Sequence, residues 1–274
     1  MGKSSTPKVD NPVMATERQT ILFENRDGIA YVTLNRPAVG NAINLQMALE
    51  LKACSGRLRA DSSVRTVVLA GAGRHFCAGG DISCPVQDDA GIRAHVIDLT
   101  SILHAAIIDF TRMDAPVVAV AEGSIAGAGI ALLAAADLAV AGPCAKFRLA
   151  YSSLGLTPDG GLSFVLPQLV GRKRAMDLLL TNRTLGALEA LEWGLVNQVA
   201  AEGAAQSTAR QLAARIAQGP LHAFGAIKNL LAAARPGLEE HMALESRTIA
   251  EQRLHREGRE GVDAFFERRE PNFY

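Results

Sequence analysis

Two short apolar runs, each stopped by a cluster of small residues, constrain this chain most. Residues 66–70 (TVVLA) and 116–121 (PVVAVA) are too short for core helices and have no polar alternation. Such runs suit strands buried on both faces, as in a parallel sheet. Each ends in a glycine-rich turn, residues 74–82 (RHFCAGGDI) and 122–130 (EGSIAGAGI). Parallel strands need crossover connections, and helical patterns lie between the runs. Residues 45–58 place Met47, Leu51, Cys54 and Leu58 on one face, and residues 91–113 place Ile92, Val96, Leu99, Leu103 and Ile107 likewise. Residues 126–136 read as a small-residue helix and 138–141 as a further strand, so the fold class is α/β.

The rest of the chain fits around this unit. Residues 21–24 and 29–35 read as strands joined by a hairpin turn at Arg26-Asp27-Gly28. Beyond Ser163 strand signals fade. Residues 172–180, 187–193, 205–217, 221–234, 238–256 and 260–268 all read as helices. The expected organisation is a flexible tail over residues 1–17, an α/β core over 18–205 and a helical region over 206–274. Residues 1–17 are polar and lack the apolar stretch of a signal peptide. The Ala-rich run 115–141 comes nearest to a membrane span, but Glu122, Asp137 and several glycines interrupt it.

Composition excludes some functions. The 28 basic and 28 acidic residues cancel, so no global field favours nucleic acid or an anionic membrane. Cys54, Cys77, Cys84 and Cys144 match neither a zinc nor a redox spacing. They read as reduced, partly buried thiols in a cytoplasmic protein, with no metal site.

The glycine turns carry the functional signal. Glycine lets a ligand approach backbone N–H groups, and a helix start leaves such groups unpaired. Two of them converging on one point would stabilise an oxyanion. The second turn fits neither a dinucleotide fingerprint nor a P-loop. Close packing of turns on neighbouring helices would explain the same residues without any ligand.

Several segments, in order, resemble the crotonase (enoyl-CoA hydratase/isomerase) superfamily: Leu34-Asn35-Arg36-Pro37 with Asn41-Ala42, then Phe76 to Asp81, then Gly123 to Gly129. The run 187–196 (ALEALEWGLV) and the ending Ala264-Phe265-Phe266-Glu267-Arg268-Arg269 with Pro271 continue the resemblance. It implies a spiral of ββα repeats with a C-terminal helical trimerisation region, assembled as a homotrimer or as a hexamer built from two trimers. It implies an acyl-CoA substrate whose thioester carbonyl is held by the N–H groups of Gly80 and Ala128, where Ala128 replaces a common glycine. Coenzyme A, part of the substrate rather than a separate cofactor, would lie near Ala38, Gly40, Ala42, Ala78, Asp81 and Ile82, with Phe266 closing over it.

The resemblance also bears on the reaction. A hydratase of this family uses two glutamates. Ala131 and Tyr151 stand where they are expected, which argues against hydration. Asp159, in Leu154-Gly155-Leu156-Thr157-Pro158-Asp159-Gly160-Gly161, resembles the single acid of double-bond isomerases. Its plain alternative is a helix N-cap before residues 162–169. His104 and Asp159 also match the histidine and nucleophilic aspartate of 4-chlorobenzoyl-CoA dehalogenases, although Tyr151 replaces their tryptophan. A non-catalytic homologue remains as a third reading. RNA binding through residues 45–58 has little support, because only Lys52, Arg57 and Arg59 lie on or near that helix, beside Glu50. Arg172-Lys173-Arg174 reads as a solvated helix start, Asn182-Arg183 as a polar turn and Trp193 as core.

Overall fold

A computed structural model describes residues 19–83, 85–233 and 237–272; the expected tail and Cys84 lie outside them. Strands β1 (Ile21–Arg26) and β2 (Ile29–Leu34) form the expected hairpin. Its turn residues Asp27 and Gly28 both have positive φ, 53° and 77°, as a tight two-residue hairpin requires. The chain then alternates: α1 (Leu45–Ala60), β3 (Thr66–Gly71), α2 (Asp89–Arg112), β4 (Val117–Ala121), β5 (Ser124–Ala126), α3 (Ala128–Ala134), β6 (Leu138–Ala141) and β7 (Lys146–Arg148). It continues with α4 (Leu162–Val170), α5 (Arg172–Thr181), β8 (Leu185–Gly186), α6 (Ala187–Glu192) and β9 (Gln198–Val199). Four further helices follow: α7 (Ala205–Ala217), α8 (Leu221–Ala233), α9 (Leu238–Leu254) and α10 (Arg256–Glu267).

The main sheet has the order β1-β2-β3-β4-β6-β9, parallel from β2 onward. Both faces are covered, which explains the unbroken apolar runs. Val67, Leu69, Val117 and Ala119 point into the larger core, which α1 and α2 close; Val68, Ala70, Val118 and Val120 point to the other side. There α7 lies along the sheet through Ala205, Ala209, Ala213 and Ala217, all buried. Four alanines one helical turn apart let the helix approach closely. The expected boundary at residue 206 would cut this helix from the core it covers. A second sheet, β5-β7-β8, was not foreseen as strands, because its members are only two or three residues long.

Helix α2 is long and apolar enough, by length and composition, to cross a membrane, but it packs against α1 and α9. The expectation had pointed instead to residues 115–141, which the fold divides among β4, β5, α3 and β6. Among the described cysteines, Cys54 and Cys77 are buried thiols, whereas Cys144 is exposed.

One buried cation ties α8 to the core. Lys228 Nζ donates to the carbonyls of Phe110 and Ala115 at 3.1 and 3.2 Å and pairs with Asp137 at 2.8 Å. Removing one partner of such a pair strands a buried charge. Lys228→Ala should therefore destabilise the fold by on the order of 3 kcal/mol. Chemical denaturation measures this, and adding Asp137→Asn should recover part of the loss.

Candidate active site

Backbone stitching builds the site. Asn41, fully buried at φ 59°, donates from Nδ2 to the carbonyls of Ala72, His75 and Phe76, while its Oδ1 accepts the Arg36 N–H. This fixes the turn after β3. Two isolated parallel bridges then set the register, Ile43 with Gly80 and Cys77 with Ile125. In the first, Ile43 N–H donates to Gly79 O and Asp81 N–H to Ile43 O, both at 2.8 Å. Gly80, between them, keeps its own N–H turned to the other side. In the second, Ala126 N–H donates to Cys77 O at 2.9 Å, and Gly127 N–H to Arg148 O at 3.1 Å. The next residue, Ala128, begins α3. Among the described residues neither Gly80 N–H nor Ala128 N–H has a protein acceptor, and both residues line one cleft.

The glycines have separate reasons. A Cβ on Gly129 would stand 2.5 Å from the Cys77 carbonyl oxygen, so glycine is what lets the two turns meet. At Gly80 a Cβ would meet nothing within 4 Å, because that space is the open cleft. Two unbonded N–H groups on one cleft, one of them at the start of a helix, are an arrangement suited to a thioester oxygen.

Asp159 lines the same cleft and is only 5% exposed. Its Oδ1 accepts the Tyr151 hydroxyl at 2.5 Å, and Oδ2 has no hydrogen-bond partner among the described residues. The helix-cap alternative is not what the structure shows, since Gly161 precedes α4 and no side chain caps it. Burial, and then the Asp159 charge, push the Tyr151 hydroxyl well above its ordinary pKa. Tyr151 is therefore a neutral phenol that donates to the carboxylate.

His104 is buried, 4% exposed, but is not among the residues lining the cleft. Its Nε2 accepts the Gly160 N–H at 3.0 Å. Burial holds its pKa below the ordinary histidine value, against the opposing pull of Asp159. It is thus a neutral imidazole whose Nε2 lone pair is engaged.

The sequence reading missed Glu245. This residue of α9, 4% exposed, accepts the N–H groups of Gly161 and Ser163 at 2.5 and 3.1 Å and also the Ser163 hydroxyl. Ser163 Oγ lies 2.7 Å from His241 Nε2. His104 and Glu245 thereby anchor the residues that directly follow Asp159. Nothing in the local sequence distinguishes Glu245 from its solvated helical neighbours.

The expected coenzyme A residues divide. Ala78, Asp81 and Ile82 line the cleft. Gly40 adjoins them through its carbonyl, which accepts the Ala78 N–H at 2.8 Å. Ala42 adjoins through Arg36, which donates to its carbonyl at 2.5 Å and pairs with Asp81 at 3.1 Å. Burial opposes ionisation of Asp81, but hydrogen bonds from Ser83 and Arg36 outweigh it and lower its pKa. Ala38 lies apart, in an exposed depression with Arg36 and Asn44. Phe266 is 55% exposed on α10, edge-on to Phe265, and does not line the cleft within this chain. Ala131 is buried, with no carboxylate. Trp193 packs against the core, partly buried, and the guanidinium groups of Arg174 and Arg183 also lie 4.8 and 4.6 Å from its ring centre.

Burial raises the Glu245 carboxyl from its ordinary 4.5 to about 7, against hydrogen bonds from Ser163 and Gly161. Between those two values the folded chain binds a proton that the unfolded chain has released. Stability from this group is complete below pH 4.5 and falls as pH rises toward about 7. Glu245→Gln should remove that fall, which is on the order of 3 kcal/mol. Denaturation midpoints of both proteins across this range measure the difference.

Comparison with known proteins identifies the family. The sequence profile of the enoyl-CoA hydratase/isomerase family matches residues 24–274. A 4-chlorobenzoyl coenzyme A dehalogenase of an Arthrobacter species is 40% identical over 210 residues, 76% of each chain. The 1,2-epoxyphenylacetyl-CoA isomerase of Escherichia coli is 34% identical over 255 residues, 92% of this chain and 97% of that one. The crystal structure of an enoyl-CoA hydratase from Mycobacterium avium subsp. paratuberculosis superposes with a TM-score of 0.83 at 32% identity, covering 93% of this chain and 98% of the other. The chain has the crotonase fold and belongs to the enoyl-CoA hydratase/isomerase family.

Proposed function

We propose that this enzyme shifts a double bond in an acyl-CoA thioester, with Asp159 as the single base. The observation that carries the reading is the buried Asp159 carboxylate, which shares a cleft with the unbonded N–H groups of Gly80 and Ala128. The other carboxylate in the lining, Asp81, is tied to Arg36 and Ser83. The thioester oxygen accepts from the two N–H groups, which favours a proton leaving a carbon conjugated with it. Asp159 takes that proton from the α carbon, or the γ carbon in the reverse direction. The electron pair delocalises into a dienolate whose oxygen charge meets the two N–H dipoles. The acid formed on Asp159 returns the same proton at the other carbon, so no water is consumed. Tyr151 keeps one carboxylate oxygen fixed and leaves the other for the substrate.

Hydration has less support, because Ala131 and a neutral Tyr151 occupy the expected glutamate places. A second reading follows from the Arthrobacter dehalogenase relatives and the nearness of His104 to the Asp159 turn. There Asp159 would displace halide from an aryl carbon, and a base-activated water would release the aryl ester. The engaged Nε2 of His104 counts against its serving as that base in this arrangement.

Asp159→Asn should lower kcat for conversion of 3-enoyl-CoA to 2-enoyl-CoA by about 10²–10⁴-fold. Thioester binding should change little, because the N–H pair is intact. Ultraviolet absorbance of the conjugated thioester follows the reaction. Halide release from 4-halobenzoyl-CoA without enoyl conversion would replace this reading with the second one, and full activity of the variant would remove both.

A further inference from the structure

The N–H groups of the four residues after Asp159 are all accounted for. Gly160 donates to His104 Nε2, Leu162 to the Asp159 carbonyl, and Gly161 and Ser163 to Glu245. Gly160 and Gly161 both have positive φ, 63° and 81°, so a sharp turn sets where Asp159 sits. Helix α4 has no side-chain cap of its own. Glu245 fills that role from α9, with one carboxylate oxygen on each of two N–H groups. Ser163 Oγ contacts both Glu245 Oε1 and His241 Nε2, and the His241 side chain is 31% exposed. Serine, histidine and a carboxylate are the residue types of a hydrolytic triad. Here, however, Oγ and Oε1 approach the same ring nitrogen, at 2.7 and 3.7 Å. In a triad the acid sits on the other nitrogen, so no nucleophile is built here.

The single hydroxyl proton of Ser163 can point two ways. With Glu245 ionised, the hydroxyl donates to Oε1 and accepts from His241 Nε2–H. With Glu245 protonated, the carboxyl proton points to Ser163 Oγ and the hydroxyl turns to the His241 nitrogen. The two backbone N–H bonds to Glu245 are charge-assisted, and so stronger, only in the first state. We infer that Glu245, Ser163 and His241 form a titrating clamp on the Asp159 turn, positioning residues that hold the aspartate most firmly when Glu245 is ionised. This inference rests on the reading of Asp159 as the base. Because burial raises the Glu245 carboxyl to about 7, the two states exchange near neutral pH. The other titratable groups around it are Asp159, Tyr151 and, from α2, His104. Arg112 and Arg93 of α2 and Arg259 of α10 pair elsewhere, with Glu239, Glu251 and Asp89, and Arg247 of α9 is exposed.

A purely structural Glu245 would make activity follow stability, which falls as this carboxyl ionises. The clamp predicts the opposite: kcat rises through about pH 7 while KM changes little. The experiment measures both constants for the 3-enoyl-CoA conversion against pH. Alongside, the Gly161 and Ser163 amide resonances are titrated in protein labelled with nitrogen-15 at glycine and serine, and denaturation midpoints establish that each variant is folded. Both amides should titrate with kcat. Glu245→Gln should remove the step and lower kcat above it about tenfold to a hundredfold. Ser163→Ala, which takes one donor from the ionised carboxyl, should move the step to higher pH. Amides that do not titrate in the wild-type protein would overturn the inference. So would a kcat step that persists in Glu245→Gln, since it would belong to another group. The amide titration needs no turnover: if it is present while Asp159→Asn keeps full activity, the base reading falls and the clamp on the turn stands.

Discussion

The site depends on two isolated parallel bridges, Ile43 to Gly80 and Cys77 to Ile125. They satisfy the backbone on both sides of Gly80 and leave Gly80 itself unpaired. They also bring the start of α3 against the first turn, where Gly129 removes the side chain that would hold them apart. A shift of one residue in either bridge would turn the wrong N–H into the cleft. Asn41 secures this register from a third segment, which explains a fully buried amide carrying four hydrogen bonds.

Elements outside the sheet surround Asp159. The Asp159 turn is held by His104 from α2 and Glu245 from α9, while Tyr151 holds the carboxylate itself. Four titratable groups thus lie in one buried region, and their protonation states differ by environment. Burial keeps Tyr151 and His104 neutral and raises Glu245 toward the middle of the pH scale. The charge that Glu245 carries in this buried region is thereby reduced at neutral pH. Helix α9 consequently holds the turn after Asp159 as well as packing on the chain.

Much of this was legible in the sequence because buried strands and amphipathic helices carry strong periodic signals. The strands β3, β4 and β6 and the helix α7 follow from their runs of valine and alanine. The short strands β5, β7, β8 and β9 were not legible, since two or three residues cannot establish a period. Gly80, Ala128 and Asp159 were singled out by turn chemistry together with the family resemblance, and the fold brings all three to one cleft. The Tyr151 contact, the engaged ring of His104 and Glu245 were not, because each depends on side chains distant in sequence meeting in the fold. Glu245 lies 84 residues from Gly161, whose N–H it accepts. The guanidinium contacts of Trp193 were not legible for a similar reason, since the two arginines come from α5 and the turn after it.

The central claim is that the N–H groups of Gly80 and Ala128 polarise a thioester carbonyl, and vibrational spectroscopy addresses it directly. A saturated acyl-CoA labelled with carbon-13 at the thioester carbonyl would be bound to the wild-type protein and to Asp159→Asn. The account predicts that the carbonyl stretch moves to lower frequency in both complexes relative to water, because the backbone pair acts without the carboxylate. A bound thioester whose carbonyl stretch is unshifted or moves higher would contradict it.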